Sequence, residues 1–483
     1  MSDRRGYYTV DEVRAAEAEL FTRVPAGMPM RRAAFGLTGV VVDELRSRTG
    51  GVAGRAVGLL VGSGDNGGDA LWAGAFLRRR GVRVSAVLLN PERAHGEGLA
   101  ALRAAGGRVV DRLDAVDLVI DGIVGISGRG PLRPEAAEIV AALNVPIIAA
   151  DLPSGVDPDT GAVDGPAVTA DVTVAFGAFK PVHALAVPHC GRIVLVPIGL
   201  ELAEAGLVQL DPGAVGAGWP VPGPADDKYS QGVTGVCAGS SKYPGAGVLC
   251  TGAAVVATSG LVRYVGTDTE VLEKFPEVVA STSISEAGRV QAWVFGPGGG
   301  TDPGARDRLA EVLATDLPVL VDADGLTILS TEPGLVRGRS APTVLTPHAG
   351  EFARLTGAVV GADRVGAVRQ LAEEWGVTVL LKGRATVVAS PGEAAFVNDA
   401  GGDWAATAGS GDVLSGVIGA LLAAGREPGW AAAAGARVHA LAANLAAYEG
   451  WDAGAPISAT PLLGHVRGAV RVLREVGGGS EAW

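Results

Sequence analysis

At 483 residues the chain is longer than one hydrophobic core usually organises, which predicts two or three domains. With 48% apolar residues, 19% charged residues and 73 glycines, the composition excludes a disordered chain and suits a compact α/β protein with tight turns. The formal net charge of -12 argues against a general binder of nucleic acid or of a membrane surface, since neither attracts an acidic protein.

The N-terminal stretch MSDRRGYYTVDEVRAAEAELF has no apolar core and carries acidic residues throughout, so no secretory or transit signal is expected and the cytoplasm is the expected compartment. From about 52 to 200, short β-rich apolar runs alternate with amphipathic stretches: AVGLLV, RVSAVLLN, LVIDGIV, VPIIAADLP, VTVAFG and RIVLVPIG. That alternation predicts βαβ units and a largely parallel sheet. After Leu210, DPGAVGAGWPVPGPADD is dense in proline and glycine and reads as a linker. The alternation restarts with VTGVCAG, AWVFGPG, LPVLVDADGL, PTVLTPH and VTVLLKG, and Ala-rich helices are expected over 412–424 and 430–447. The expected division is a first domain over 1–211, a linker over 212–226, a second domain over 227–476 and a flexible tail over 477–483. VLSGVIGALLAAG, with 13 residues, is too short to span a bilayer. Cys190, Cys237 and Cys250 have no metal-ligand spacing and are expected in the core of a protein from a reducing compartment.

Gly-Ser-Gly-Asp occurs at 62–65 and again at 409–412. In the first loop Gly62, Gly64 and Gly67 match the dinucleotide-binding spacing G-x-G-x-x-G, but Asp65 and Asp69 put negative charge where a pyrophosphate would rest. Asp65, Asn66 and Asp69 instead offer oxygens, the ligand type of hard cations. Asp121 and Asp151 follow at later strand ends, and in an open parallel sheet such loops share one crevice. The same residues also suit helix capping and turns.

The strings GSGDNGGDAL, DGIVGISGRGP, DLPSGVDPDTG and AFGAFKPVHAL resemble the N-terminal domain of the NAD(P)H-hydrate epimerases over about residues 5–205. The resemblance implies a Rossmann-like α/β sandwich. By position it assigns a potassium ion to Asn66, Asp121 and Ser154. It assigns the hydrated nicotinamide nucleotide to Asp65, Asn66, Gly67, Gly68 and Asp69, to Gly125, Ile126, Ser127, Gly128, Arg129, Gly130 and Pro131, and to Asp151. Asp151, a carboxylate in the crevice, is the candidate acid or base for inverting the hydrated ring carbon. Asp65 stands where the family's loop has Asn, Ala70 where Gly is usual, and GMPMRRAAFG where the family has Met-Glu-x-Ala-Gly.

In the second loop Asp412 opens a helix, where free backbone N–H groups form an anion site and a carboxylate beside them can act as base toward a hydroxyl attacking phosphorus. No G-x-x-x-x-G-K-[ST] is present. GPGGG, DADGL, TPHAGEF, LKGRAT and AGSGDVLSG together resemble the ribokinase-like fold and, within it, the ADP-dependent NAD(P)H-hydrate dehydratases, over about 226–475. That resemblance implies that Lys382, Gly383, Arg384, Ala385, Thr386 and Gly411 bind the adenine nucleotide and that Gly298, His348 and Asp412 bind the hydrate, with Asp412 catalytic. Ala408 stands where these loops usually have Gly.

The chain is thus expected to be an α/β protein of two domains, one Rossmann-like and one ribokinase-like. Its expected activity is epimerisation of R and S hydrated NADH and NADPH and dehydration of the S form with ADP, giving NAD(P)H, AMP and phosphate, with potassium and magnesium as ions. A homo-oligomer without nucleic-acid or membrane partners is expected. The alternative is a ribokinase-like small-molecule kinase carrying a non-catalytic nucleotide-binding first domain.

Overall fold

All six residues of the strand Ala56–Val61 are buried, as a parallel strand covered on both faces requires. Its alternate side chains serve two cores. Val57, Leu59 and Val61 pack with Leu37, Val41 and Leu45 of the helix Met28–Thr49 and with Leu71 and Leu77 of the helix Asp65–Arg78. Leu60 faces the other way, toward Val119, Ile147, Ala149 and Val168. Burying each such side chain contributes about 1.5–3 kcal/mol.

The computed structural model describes residues 3–258 and 260–477, which divide into a unit over Gly6–Leu207 and a second formed by residues 3–5 with 208–477. The first unit's sheet has the order Arg108–Val109, Arg83–Leu88, Ala56–Val61, Leu118–Gly122, Ile147–Ala150, Val172–Phe176, Arg192–Val196. Every pairing is parallel. The chain reverses its direction of travel between Ala56–Val61 and Leu118–Gly122, and ligands bind beyond the carboxyl ends of strands at such a point.

The second sheet runs Arg4–Tyr7, Leu207–Leu210, Ala395–Asp399, Ala385–Ala389, Thr378–Leu381, Thr343–Leu345, Val319–Val321, Ala292–Phe295, Val233–Cys237, Leu261–Val265, Val279–Ser281. From Thr378–Leu381 to Val279–Ser281 the pairings are parallel, while Ala385–Ala389 pairs antiparallel with both its neighbours. The expected Ala-rich helices form at Ser410–Ala423 and Pro428–Tyr448. The reversal point here lies between Val233–Cys237 and Ala292–Phe295.

Residues 212–226, expected to be a linker, contain the helix Pro212–Gly218, capped by Asp211 through Gly213 N–H at 2.8 Å. Its glycines permit close packing: a Cβ on Gly216 would lie 2.1 Å from the Leu473 carbonyl of the helix Ala459–Gly477. The second unit accordingly takes up the chain at Val208, short of the expected boundary after 211. Of the expected tail, Gly477 ends the last helix, and 478–483 lie outside the described residues. The three cysteines are free and buried. Among the described residues no helix is long and apolar enough to cross a membrane.

Candidate active sites

In the first unit the loops at the reversal point enclose a cleft of about 1140 Å³. The chain turns from strand to helix at Gly62, where a Cβ would fall 1.8 Å from the Ile123 carbonyl, so only glycine fits. Asp65, Asn66, Asp69, Gly125, Ile126, Ser127, Gly128, Arg129, Gly130, Pro131 and Asp151 all line this cleft. Gly67 and Gly68 are buried in the first turns of the helix Asp65–Arg78. Asp121 and Ser154 are fully buried. Ser154 Oγ donates to Asp121 Oδ1 at 2.8 Å, and Asp121 also accepts from Ser154 N–H at 2.9 Å and Ile123 N–H at 3.1 Å. Burial pushes Asp121 up to about 6 even against these hydrogen bonds. A Cβ on Gly125 would lie 3.3 Å from Asn66 Cγ, and the buried Asn66 Nδ2 has no hydrogen-bond partner.

Asp151 holds its backbone in the left-handed region at φ 70°, a conformation a non-glycine residue keeps only when its surroundings enforce it. Three contacts do so. Asp151 N–H donates to Val174 O at 2.8 Å, Asp151 Oδ1 accepts from Phe176 N–H at 3.0 Å, and the Asp151 carbonyl accepts from His183 Nε2 at 2.9 Å. Because a carbonyl only accepts, Nε2 carries the proton, leaving His183 Nδ1 to accept from Lys180 N–H at 2.9 Å. Burial, with Lys180 beside it, depresses His183 to about 4 and keeps it neutral. Lys180 Nζ then reaches Asp151 Oδ1 at 2.5 Å and Phe176 O at 2.9 Å. Glu17 also lines the cleft, and its carboxyl is raised by burial and by Asp151. Lys180, His183 and Glu17 were not singled out from sequence. The signal for the first two was KPVH directly after a strand and a glycine turn.

In the second unit Asp412 sits in the first turn of the helix Ser410–Ala423, whose N-cap Gly409 at φ 83° provides no side-chain cap. Lys382, at the end of Thr378–Leu381, donates to Asp322 Oδ1 at 2.8 Å and lies 3.6 Å from Glu351 Oε2. Ser415 Oγ donates to Asp322 Oδ2 at 2.7 Å. A Cβ on Gly411 would be 3.5 Å from Lys382 Nζ, which ties this loop to the lysine. Burial, then Asp322, pushes Asp412 up to about 7; Lys382 pulls it down, while Asp324 and Glu351 add to the rise. His439 Nε2 donates to Ser410 O at 2.9 Å and is held neutral, near 4, by burial.

His348 caps the helix Ala349–Thr356, its Nδ1 accepting from Gly350 N–H at 3.0 Å and its own N–H donating to Glu351 Oε2 at 2.8 Å. The GPGGG turn requires glycine at Gly296, at φ 118°, where a Cβ would lie 2.1 Å from Asp322 O. Gly298 faces Tyr243 and Ala246, and Gly300 N–H donates to Asp324 Oδ2 at 2.9 Å. Arg384 turns to Asp399 at 3.2 Å and Asp403 at 3.1 Å, Ala385 is buried, and Thr386 Oγ1 donates to Gly383 O at 3.0 Å. Asp322, Asp324, Glu351 and Ser415 are the members not assigned from sequence. DADGL carries the family resemblance as a string, but nothing in its spelling shows that its first Asp anchors Lys382.

The NAD(P)H-hydrate dehydratase family matches residues 234–460, and the YjeF-related protein N-terminus matches residues 28–182. A bifunctional NAD(P)H-hydrate repair enzyme Nnr from Mycobacterium tuberculosis is 62% identical over 474 residues, covering 97% of this chain and 100% of that protein. The chain belongs to the bifunctional NAD(P)H-hydrate repair enzymes. A second member of this family, from Mycobacterium leprae, is 59% identical over the same shares of both chains. A solved ribokinase-like superfamily protein from Enterococcus faecalis shares the fold with a TM-score of 0.50 at 21% identity, covering 56% of this chain and 98% of that one. Membership of the repair family selects the epimerase and dehydratase pairing over the small-molecule kinase.

Proposed function

We propose that the two activities of this repair enzyme are divided between two carboxylates, each near a lysine at the carboxyl end of its own sheet. Asp151 with Lys180 serves epimerisation, and Asp412 with Lys382 serves dehydration. The observation that carries this reading is that a lysine stands by each carboxylate at the strand ends: Lys180 pairs with Asp151 directly, while Lys382, itself paired with Asp322, lies against the Gly411 turn and draws Asp412 down.

In the first cleft, residues 65–69 and 125–131 hold the hydrated nucleotide, and Asp151 is the acid or base that moves a proton as the hydrated ring carbon is inverted. Asn66, Asp121 and Ser154 fit a potassium ion by donor chemistry. They offer an amide, a carboxylate and a hydroxyl, and the buried Asp121 carboxylate gains from a cation. Such an ion supplies fixed positive charge that orders the loops around the substrate.

In the second site the ring hydroxyl is a poor leaving group. Asp412 takes its proton as the oxygen attacks the terminal phosphorus of ADP and the bond to AMP breaks. The ring nitrogen's lone pair then expels phosphate, and loss of a proton from the neighbouring carbon restores the dihydropyridine. Gly411 and residues 382–386 hold the adenine nucleotide, while Gly298 and His348 orient the hydrate. Magnesium belongs with the phosphates of ADP, where it offsets their charge.

The test mixes both epimers of hydrated NADH with protein, ADP, magnesium and potassium and follows reduced-nicotinamide absorbance. Full recovery is expected, abolished by Asp412→Asn and limited by Asp151→Asn to the S fraction above spontaneous epimerisation. Recovery unchanged in either variant would overturn that residue's role.

A further inference from the structure

Asp69 is the fifth residue of the helix Asp65–Arg78, beyond the first turn where a helix start favours a carboxylate. It is only 8% exposed, lines the cleft, and has no hydrogen-bond partner for Oδ1. A buried carboxylate left in that state pays a large desolvation cost unless it holds a proton. Lys180 offsets this only in part, its ammonium donating to Asp151 Oδ1 and Phe176 O rather than to Asp69. Burial holds Asp69 well above the usual carboxylate range; Asp151, Asp65 and Glu17 push it the same way and Lys180 opposes them. His95 also lines the cleft, with its Nδ1 occupied by Gly98 N–H at 3.0 Å.

Two carboxylates in one cleft, one set against an ammonium and one without, is the arrangement that separates a base from an acid. We infer that Asp69 is a second catalytic residue of the epimerase cleft, handing its proton to the departing ring hydroxyl while Asp151 takes a proton from the incoming water. This rests on the epimerase reading of that cleft. Asp69 protonates the hydroxyl oxygen, and the carbon–oxygen bond breaks with its electron pair leaving on the water formed. The ring nitrogen's lone pair makes a carbon–nitrogen double bond. A water molecule attacks that carbon from the other face, its oxygen forming the new bond, its proton passing to Asp151 and the π pair returning to nitrogen. Composition is unchanged and the centre is inverted. Solvent returns a proton to Asp69 and removes one from Asp151.

The experiment uses the full chain without ADP, so that dehydration is silent, and separates the R and S hydrates of NADH over time. If the unmutated protein fails to speed interconversion over buffer, the epimerase reading itself falls, and this inference with it. If it does speed it, heavy-oxygen water should label the ring hydroxyl once per inversion, and the rate should fall as pH rises past the Asp69 value. Inversion with the original oxygen retained, or a rate flat to high pH, overturns the inference. Asp69→Asn should lower kcat by about 10²–10⁴-fold, far beyond any change in hydrate binding, and remove the alkaline fall. A parental rate in Asp69→Asn, or lost binding at unchanged kcat, overturns it. Dehydration of the S hydrate by the same preparation, restored by adding ADP, reports that the chain is intact.

Discussion

Lys180 Nζ meets Asp151 Oδ1 at 2.5 Å with the lysine 1% exposed, while Asp151 holds a left-handed backbone at φ 70°. The ammonium and the Phe176 N–H hold the carboxylate and the neutral His183 holds the backbone carbonyl, together keeping Asp151 in a backbone conformation that costs about 1–3 kcal/mol. Removing the cation leaves a buried charge unpaired. Lys180→Met is expected to destabilise the first unit by about 3–5 kcal/mol and to suppress epimerisation while dehydration of the S hydrate persists. Denaturant unfolding and separation of the R and S hydrates check this. Unaltered stability together with an unaltered rate would show that the pair does nothing for Asp151.

The sequence made the strands and the first cleft legible, because parallel strands write themselves as apolar runs and their carboxyl ends carry the chemistry. AVGLLV became Ala56–Val61 residue for residue, and Asn66, Asp121 and Asp151 gathered at neighbouring strand ends as expected. What stayed hidden depended on tertiary pairing. Lys180 and Asp322 are ordinary charged residues until Asp151 and Lys382 are brought against them. Glycine near 216 reads as linker flexibility in the sequence, while in the fold it serves close helix packing. The strand Arg4–Tyr7 carries too little apolar signal to show that residues 3–5 belong with the second unit.

Burial raises Asp121 to about 6, so an ion held there competes with a proton. Below about pH 6 the carboxyl is neutral and attracts a cation weakly; above it the anion is present and unrelieved. Potassium is therefore expected to raise the unfolding temperature of the first unit at pH 8 and to do little at pH 5. Asp121→Asn should abolish the effect, and replacing potassium by a bulky organic cation should mimic its absence. An equal potassium effect at both pH values would detach the ion from Asp121.

Asp412 is raised to about 7 from an ordinary 3.8, chiefly by burial. A base works only when deprotonated, so kcat/KM for dehydration should climb as pH rises toward 7 and level off above. Stability runs the other way. A carboxyl raised on folding lends stability that is complete below about 3.8 and lost as pH rises through about 7. Asp412→Asn should therefore abolish dehydration yet raise the unfolding temperature of the second unit, by an amount that grows between pH 4 and pH 7 and then holds constant. A rate that declines from pH 6 to pH 8 would remove Asp412 as the base.

Asp322 couples to both quantities. After burial it contributes most to the rise of Asp412, and its Oδ1 fixes Lys382 while its Oδ2 is fixed by Ser415. Asp322→Asn keeps the shape and one acceptor oxygen for Lys382, puts a donor NH2 toward Ser415 Oγ, and deletes the negative charge. Two consequences are expected together. With less repulsion Asp412 ionises more readily, so the rising limb of the dehydration pH profile moves to lower pH; and Lys382, now paired only with Glu351 at 3.6 Å, is held less firmly, so kcat on the plateau falls. A merely structural Asp322 would lower stability without moving the limb. A limb that stays in place, with Asp322→Asn folded and active, would show that the charge of Asp322 does not reach Asp412.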